Sequence, residues 1–293
     1  MPWLQLSLTS SEEKAALIEL LFEDLGALSV TLIDAKDQPL LEPGPGETPL
    51  WRHTRVTALF QEDAEIAKLE EALRAHVDAA TFATLEQERI EDQDWERAWM
   101  DAFRPMHYGH HLWVCPAGQR PDDPQALIVE LDPGLAFGSG THPTTALCLE
   151  WLAAHDLKDQ TLIDYGCGSG ILGIVALRLG AKQVIAVDHD PQALEATDAN
   201  ARKNAVQERL QIFSPGDMPE VQSDLLVANI LAGILEELEP TLAERVRPQG
   251  TVLLSGILTE QANEVIEAYR PHFTMQPPIE KEGWVRLEGI RTR

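Results

Sequence analysis

The chain has 293 residues, a length that suggests two domains, and a hydrophobic content of 44% that suits a globular protein with a real core. Forty-eight acids against 23 bases give a net charge of −25, which argues against a direct nucleic-acid site because phosphate binding needs a basic face. No apolar run is long enough to span a bilayer, the Met-Pro-Trp-Leu start is unlike a signal peptide, and the widely spaced Cys115, Cys148 and Cys167 suit a reducing cytoplasm and no metal site.

The first part of the chain alternates strand and helix patterns. Trp3 to Leu8 alternates like a half-buried strand. Thr9-Ser-Ser-Glu12 reads as a capping box opening a helix over Ala15 to Leu25, which Gly26 stops. Leu28 to Ile33 reads as a strand, and Pro39 to Pro49, with four prolines, as a loop. Trp51 to Phe60 is a third strand, Ala64 to Val77 a second helix and Phe82 to Ile90 a fourth strand. This β-α-β-β-α-β order is ferredoxin-like. Residues 1–95 carry 20 acids and 7 bases, so this small sheet domain is strongly acidic. The acidity serves either solubility or the steering of a basic partner. The segment holds no glycine fingerprint, metal spacing or catalytic dyad, and it reads as a recognition module.

Asp92 to Phe103 has the spacing of a linker helix, with Trp95, Trp99 and Phe103 on one face. That stripe suits interdomain core better than a ligand platform. The organisation expected is therefore a ferredoxin-like domain over 1–92, a linker helix over 93–110 and a second domain over 111–293. Leu112 to Cys115 and Ala126 to Leu131 are strand patterns at its start. His107, His110 and His111 lack partners at a metal-ligand spacing and read as loop residues.

Asp132-Pro-Gly-Leu-Ala-Phe-Gly-Ser-Gly-Thr-His-Pro-Thr-Thr145 is a structured loop opening a helix over Ala146 to His155. It lacks the lysine of a Walker loop, but its helix N-terminus would accept a carboxylate. A plain helix start is the alternative. His142 is either a proton acceptor or, the reading its place in a loop favours, a histidine held by hydrogen bonds.

Thr161 to Asp164 is a short buried strand, and Gly166, Gly168 and Gly170 make a turn without side chains. Ile171 to Leu179 is a helix ending at Gly180, Val184 to Val187 the next strand, and Asp188 stands at its carboxyl end. An acid about 20 residues beyond a glycine loop is placed to accept hydrogen bonds from ribose hydroxyls. Two cofactors suit the spacing. Gly168-x-Gly170-x-x-Gly173 fits a dinucleotide, whereas Asp164-x-Gly166-x-Gly168-x-Gly170 is typical of S-adenosylmethionine enzymes. Asp164 favours the second, since a carboxylate binds an ammonium and repels a pyrophosphate. A nicotinamide-dependent oxidoreductase stays open as the alternative. Asp190-Pro191 is a helix start.

Asp224 to Ala228 is a strand running into Asn229, which places a polar residue at the sheet edge where open α/β folds hold ligands. Ile234 to Arg247 reads as a helix interrupted by Pro240, and Gly250 precedes a strand over Thr251 to Leu254. Ala262 to Tyr269 is a helix, while Phe273 to Met275 and Trp284 to Leu287 can form a closing antiparallel pair. The alternation implies a mostly parallel sheet of α/β class.

Three stretches together carry a resemblance: Asp132 to Thr145, Asp164-Tyr-Gly-Cys-Gly-Ser-Gly170 and Val227-Ala-Asn-Ile-Leu-Ala232. With the Met-Pro-Trp start, Asp94-Trp-Glu-Arg97 and Trp99-Met-Asp101, the chain resembles the bacterial protein methyltransferase A family over nearly its whole length. The resemblance implies a class I S-adenosylmethionine-dependent methyltransferase domain, Rossmann-like with a seven-stranded sheet, behind a ferredoxin-like substrate domain. It implies trimethylation of lysine and N-terminal amines of large-subunit ribosomal protein eleven, a basic protein. With no long exposed apolar element in the sequence a monomer is expected, and the cysteine usage suits a cytoplasmic enzyme. The cofactor residues it implies are Thr145, Gly166, Asp188 and Asn229; Asp164, Gly168, Gly170, Phe137, Gly138 and Thr141 of the two loops are counted with them. Asn229 is expected at the reacting centre. Asn229-Ile-Leu-Ala differs from the Asn-Pro-Pro-aromatic motif of enzymes acting on nucleic-acid or glutamine amines, which implies a different amine pocket.

Overall fold

The computed structural model describes residues 3–36, 50–90, 104–131 and 140–292. The chain forms two compact units, Met1–Ala98 and Trp99–Arg293. The expected linker helix, with Trp95, Trp99 and Phe103, and the loop over 39–49 lie outside the described residues. Met106–Tyr108, within the expected linker stretch, is a strand.

In the first unit, β1 (Trp3–Ser10), β2 (Ser29–Asp34), β3 (Thr54–Gln61) and β4 (Glu86–Ile90) form an antiparallel sheet in the order β2-β3-β1-β4. With α1 (Glu12–Asp24) and α2 (Ile66–His76) between them, this is the ferredoxin-like arrangement. Alternate residues Leu4, Leu6 and Leu8 of β1 are buried against Phe22 of α1 and Leu73 of α2. The expected capping box does not form. Thr9 and Ser10 stay paired with β3, and the N-cap is Ser11, whose side chain makes no cap bond. Phe82 is not in β4 either. It ends a short helix, α3 (Ala79–Phe82), because Asp78 accepts hydrogen bonds from the Ala80 and Thr81 N–H groups.

In the second unit, β5 (Met106–Tyr108), β6 (Leu112–Cys115) and β7 (Leu127–Glu130) make a small sheet. The main sheet contains β8 (Thr161–Tyr165), β9 (Gln183–Val187), β10 (Leu210–Phe213), β11 (Ser223–Asn229), β12 (Val246–Leu258), β13 (Phe273–Met275), β14 (Ile279–Lys281) and β15 (Trp284–Arg291). Its order is β10-β9-β8-β11-β12-β15-β13, with β14 also paired to β15. The pairs from β10 to β12 are parallel and those involving β15 antiparallel. This is the class I methyltransferase sheet, with its closing antiparallel strands.

The helices are α4 (Pro143–Ala154), α5 (Ile171–Arg178), α6 (Pro191–Lys203), α7 (Ala232–Glu244) and α8 (Ala262–Tyr269). The sheet is buried on both faces, so its strands are continuous apolar runs whose alternate residues serve different cores. Leu162, Leu225 and Val227 join one core with Ile174 of α5. Ile163, Leu226 and Ala228 join the other with Leu235 of α7 and Val265 of α8.

Two local expectations change. Pro240 does not break α7, although it removes one N–H from the ladder. Burial of Leu235 and Leu242 on either side, and a hydrogen bond from the Tyr269 hydroxyl to the Leu235 carbonyl, hold the helix against the sheet. Gly250 lies inside β12, not ahead of it. The register shifts there between Ser223 and Leu225 of the partner strand, and a Cβ on Gly250 would sit 2.9 Å from the Arg247 carbonyl oxygen.

Candidate cofactor and amine site

Parallel strands point their carboxyl ends the same way, so residues following β8, β9 and β11 gather at one edge. A cleft of about 610 Å³ opens there, lined among others by Gly166, Gly168, Asp188, Asn229, Gly256 and Trp284.

The glycine loop is built by backbone geometry. Gly166, Gly168 and Gly170 have φ of +73°, +54° and +78°, the left-handed region that side chains disfavour. A Cβ on Gly166 would stand 2.2 Å from Ile230 Cγ2, so only glycine lets the loop lie against the end of β11. The N–H groups of Gly166 and Cys167 both donate to the Val187 carbonyl, at 2.7 and 3.0 Å. The Gly168 N–H donates to Asp188 Oδ2 at 2.9 Å, and the Asp190 N–H to Asp188 Oδ1 at 3.0 Å. Asp188 is thus oriented by two backbone donors while its carboxylate borders the cleft. Gly170 turns away from the cleft as the N-cap of α5 and packs on Thr197. Thr197 and Asn200 of α6 also bond the Gly168 and Ser169 carbonyls. Sequence reasoning missed this support, because a polar residue on a helix carries no local sign of what it faces.

Asp164 lies beneath the loop and does not line the cleft. Its Oδ2 accepts from the Gly173 N–H at 2.8 Å, and its Oδ1 is buried without a hydrogen-bond partner among the described residues. Burial pushes its pKa up to about 7; the Gly173 N–H opposes that shift and the Asp188 charge adds to it.

Asn229 ends β11 in the cleft. Its Nδ2 donates to Thr145 Oγ1 at 3.2 Å, while Oδ1 is buried with no partner among the described residues. Thr145 is itself buried on α4 and acts here through Asn229. His142 is the N-cap of that helix, and its Nδ1 lies 2.8 Å from Thr144 Oγ1 and takes the Thr144 N–H. The helix therefore starts earlier than its apolar pattern, because Pro143 suits the first turn. Partial burial lowers the His142 pKa, against the pull of Glu282. Thr141 is exposed just ahead of it, and Phe137 and Gly138 lie outside the described residues. The Tyr108 hydroxyl donates to the Gly140 carbonyl at 3.0 Å, anchoring the end of that loop from the small sheet.

The composition of the lining bears on the ligand. Among the described residues it includes two carboxylates, Asp188 and Asp190, and no lysine or arginine. A sulfonium with an attached ammonium suits that field, while a pyrophosphate would meet no cationic side chain. The glycine cradle, the Asp188 carboxylate and the partnerless Asn229 acceptor fit S-adenosylmethionine.

Residues 2–292 match the ribosomal protein L11 methyltransferase (PrmA) family. The chain belongs to this family. Ribosomal protein L11 methyltransferases of Shewanella sediminis and Methylococcus capsulatus are each 52% identical to it, over 99% of the chain and 100% and 99% of their own lengths. The crystal structure of ribosomal protein L11 methylase from Lactobacillus delbrueckii subsp. bulgaricus is 32% identical, with a TM-score of 0.60 over 65% of this chain and all of its own. The family is one of S-adenosylmethionine-dependent protein methyltransferases, and membership sets aside the nicotinamide oxidoreductase that glycine spacing alone left open. None of the helices described is long and apolar enough to cross a membrane.

Proposed function

We propose that the chain methylates ribosomal protein L11, on lysine ε-amines and the N-terminal α-amine, up to the trimethyl state. The observation that carries the amine site is Asn229 Oδ1, a buried acceptor without a partner among the described residues, in a cleft bordered by Asp188. A buried acceptor left unpaired is costly, and an amine N–H would satisfy it. Family membership supports the protein substrate.

When bound, S-adenosylmethionine supplies a methyl group on a positively charged sulfur, open to in-line attack by a neutral amine. The chain's own residues align and dry the reactants. The backbone of Gly166 and Gly168 takes the methionine part, and Asp188 accepts from the ribose hydroxyls. Asp164 holds the first turn of α5, which follows the loop, through the Gly173 N–H. Phe137, Gly138 and Thr141 of the signature loop are assigned to cofactor binding on the family pattern alone. Thr145 holds the Asn229 amide so that Oδ1 is presented as the acceptor. Alignment supplies much of the rate. Lysine, with an ordinary pKa near 10.4, must lose a proton first, and an apolar lining favours the neutral form.

Residues 1–92 serve as the substrate-recognition domain and 111–293 as the catalytic one. The acidic first domain attracts a basic ribosomal protein. The enzyme acts as a cytoplasmic monomer. The test is transfer of labelled methyl from S-adenosylmethionine to a mixture of ribosomal proteins, with Asp188→Ala as control. Label on L11 alone, lost in the control, is expected. Label on another protein, or none with cofactor bound, overturns the substrate assignment.

A further inference from the structure

The cleft has a wall that the residues above leave unused. Trp284 lines it at the start of β15, and its ring meets the His142 ring edge to face at a centroid distance of 4.8 Å. Leu231 and Ile234, at the start of α7, line the same cleft while remaining 50% and 44% exposed. Large apolar side chains left open beside a buried polar acceptor await an apolar ligand.

The tryptophan is rigidly placed. Glu282 and Gly283, with φ of +53° and +79°, form a two-residue hairpin turn between Lys281 and Trp284, which pair directly. Lys281 Nζ bonds Glu150 Oε1 at 2.7 Å and ties the hairpin to α4, the helix that His142 caps. On the other side Trp284 pairs with Leu258 of β12.

We propose that Trp284 is the contact that carries a partly methylated amine through its later transfers, with the His142 edge and Leu231 completing the wall. The inference rests on the lysine-methylation reading above. In each round the amine lone pair forms a new N–C bond as the C–S bond breaks. The sulfur keeps that electron pair, and the nitrogen then releases one proton to solvent before the next round. Each methyl removes one N–H that Asn229 Oδ1 can accept. Each also adds apolar surface and spreads the positive charge of the ammonium, which favours the face of an indole. Asn229 therefore holds the early states and Trp284 the late ones.

The experiment follows purified L11 with S-adenosylmethionine by mass spectrometry, comparing wild type with Trp284→Ala, Trp284→Leu and Trp284→Phe. Binding of S-adenosylhomocysteine, measured by calorimetry, reports the integrity of the cofactor site in each. The expected result is a fall of about fivefold to tenfold in the ratio of trimethyl to monomethyl product for Ala and Leu, with Phe close to wild type. Leucine keeps apolar area without an aromatic face, so Leu matching wild type while Ala fails would overturn the aromatic role. An unchanged product ratio in Ala would overturn the proposal altogether. Should Ala bind no S-adenosylhomocysteine, the Leu and Phe pair decides by the same criterion. Wild-type enzyme that places no methyl on L11 amines would instead remove the underlying reading.

Discussion

The two units use the same materials, apolar strands and amphipathic helices, but only one builds a cleft for chemistry. In the first unit the strands are antiparallel, so successive strand ends fall on opposite edges and no edge collects functional side chains. Its exposed large apolar residues among those described include Leu17 and Leu20 of α1, Leu28, and Ile33 of β2. In the second unit five parallel strands deliver Gly166, Asp188 and Asn229 to one edge, although they lie far apart in the chain. Strand direction, more than composition, decides which unit can hold a cofactor.

The sharpest way to break that contrast is Asn229→Ala. Removal of the amine acceptor and of the bond to Thr145 is expected to lower kcat about 100-fold, with S-adenosylhomocysteine still bound by calorimetry. Full activity would show that the edge collects Asn229 without using it. Asp188→Ala should weaken S-adenosylmethionine binding roughly 10- to 100-fold, the loss of charge-assisted hydrogen bonds, while circular dichroism keeps the fold. Unchanged affinity would sink the ribose assignment. Gly166→Ala forces a side chain into φ +73° and against Ile230. A loss of about 1–3 kcal/mol is expected in denaturant titrations, partly recovered by adding Ile230→Ala.

Asp164 sharpens the comparison through pH. Its folded pKa is raised from 3.8 to about 7, so between those values the unfolded chain releases a proton that the folded one keeps. The stability of the cofactor-free protein should therefore fall as pH rises through that window, by about 4 kcal/mol, and level off above it. Asp164→Asn should flatten this dependence; an equally steep profile in the variant would assign it to other groups. The smallest effect is expected in the first unit. Leu17→Ser should change stability by no more than about 0.5 kcal/mol and leave cofactor affinity alone. If the reading of that unit holds, its effect appears in KM for L11.

Much of this was legible because it is local. Gly166 and Gly170 announce a turn, Asp190-Pro191 announces a helix start, and the apolar runs announce buried strands. Other features could not be read locally. Pro240 suggests a break that packing across Leu235, Leu242 and Tyr269 overrides. Thr9 and Glu12 suggest a capping box that strand pairing overrides. Asp164 looks like a residue facing the ligand, yet lies under the loop, since a strand pattern does not say how deep its last residue sits. Trp284 carried no mark beyond a closing strand, and only the hairpin turn and the His142 ring put it on the cleft wall.

The sequence by itself determined the order of elements, the left-handed glycine turn and the acid at the end of β9, because backbone conformation and hydrophobic period are written residue by residue. The tertiary structure decided that Thr145 acts through Asn229, that Thr197 and Asn200 brace the loop, and that Trp284, Leu231 and His142 share one wall. Those facts depend on strand order and helix packing, which bring together residues that no local pattern connects.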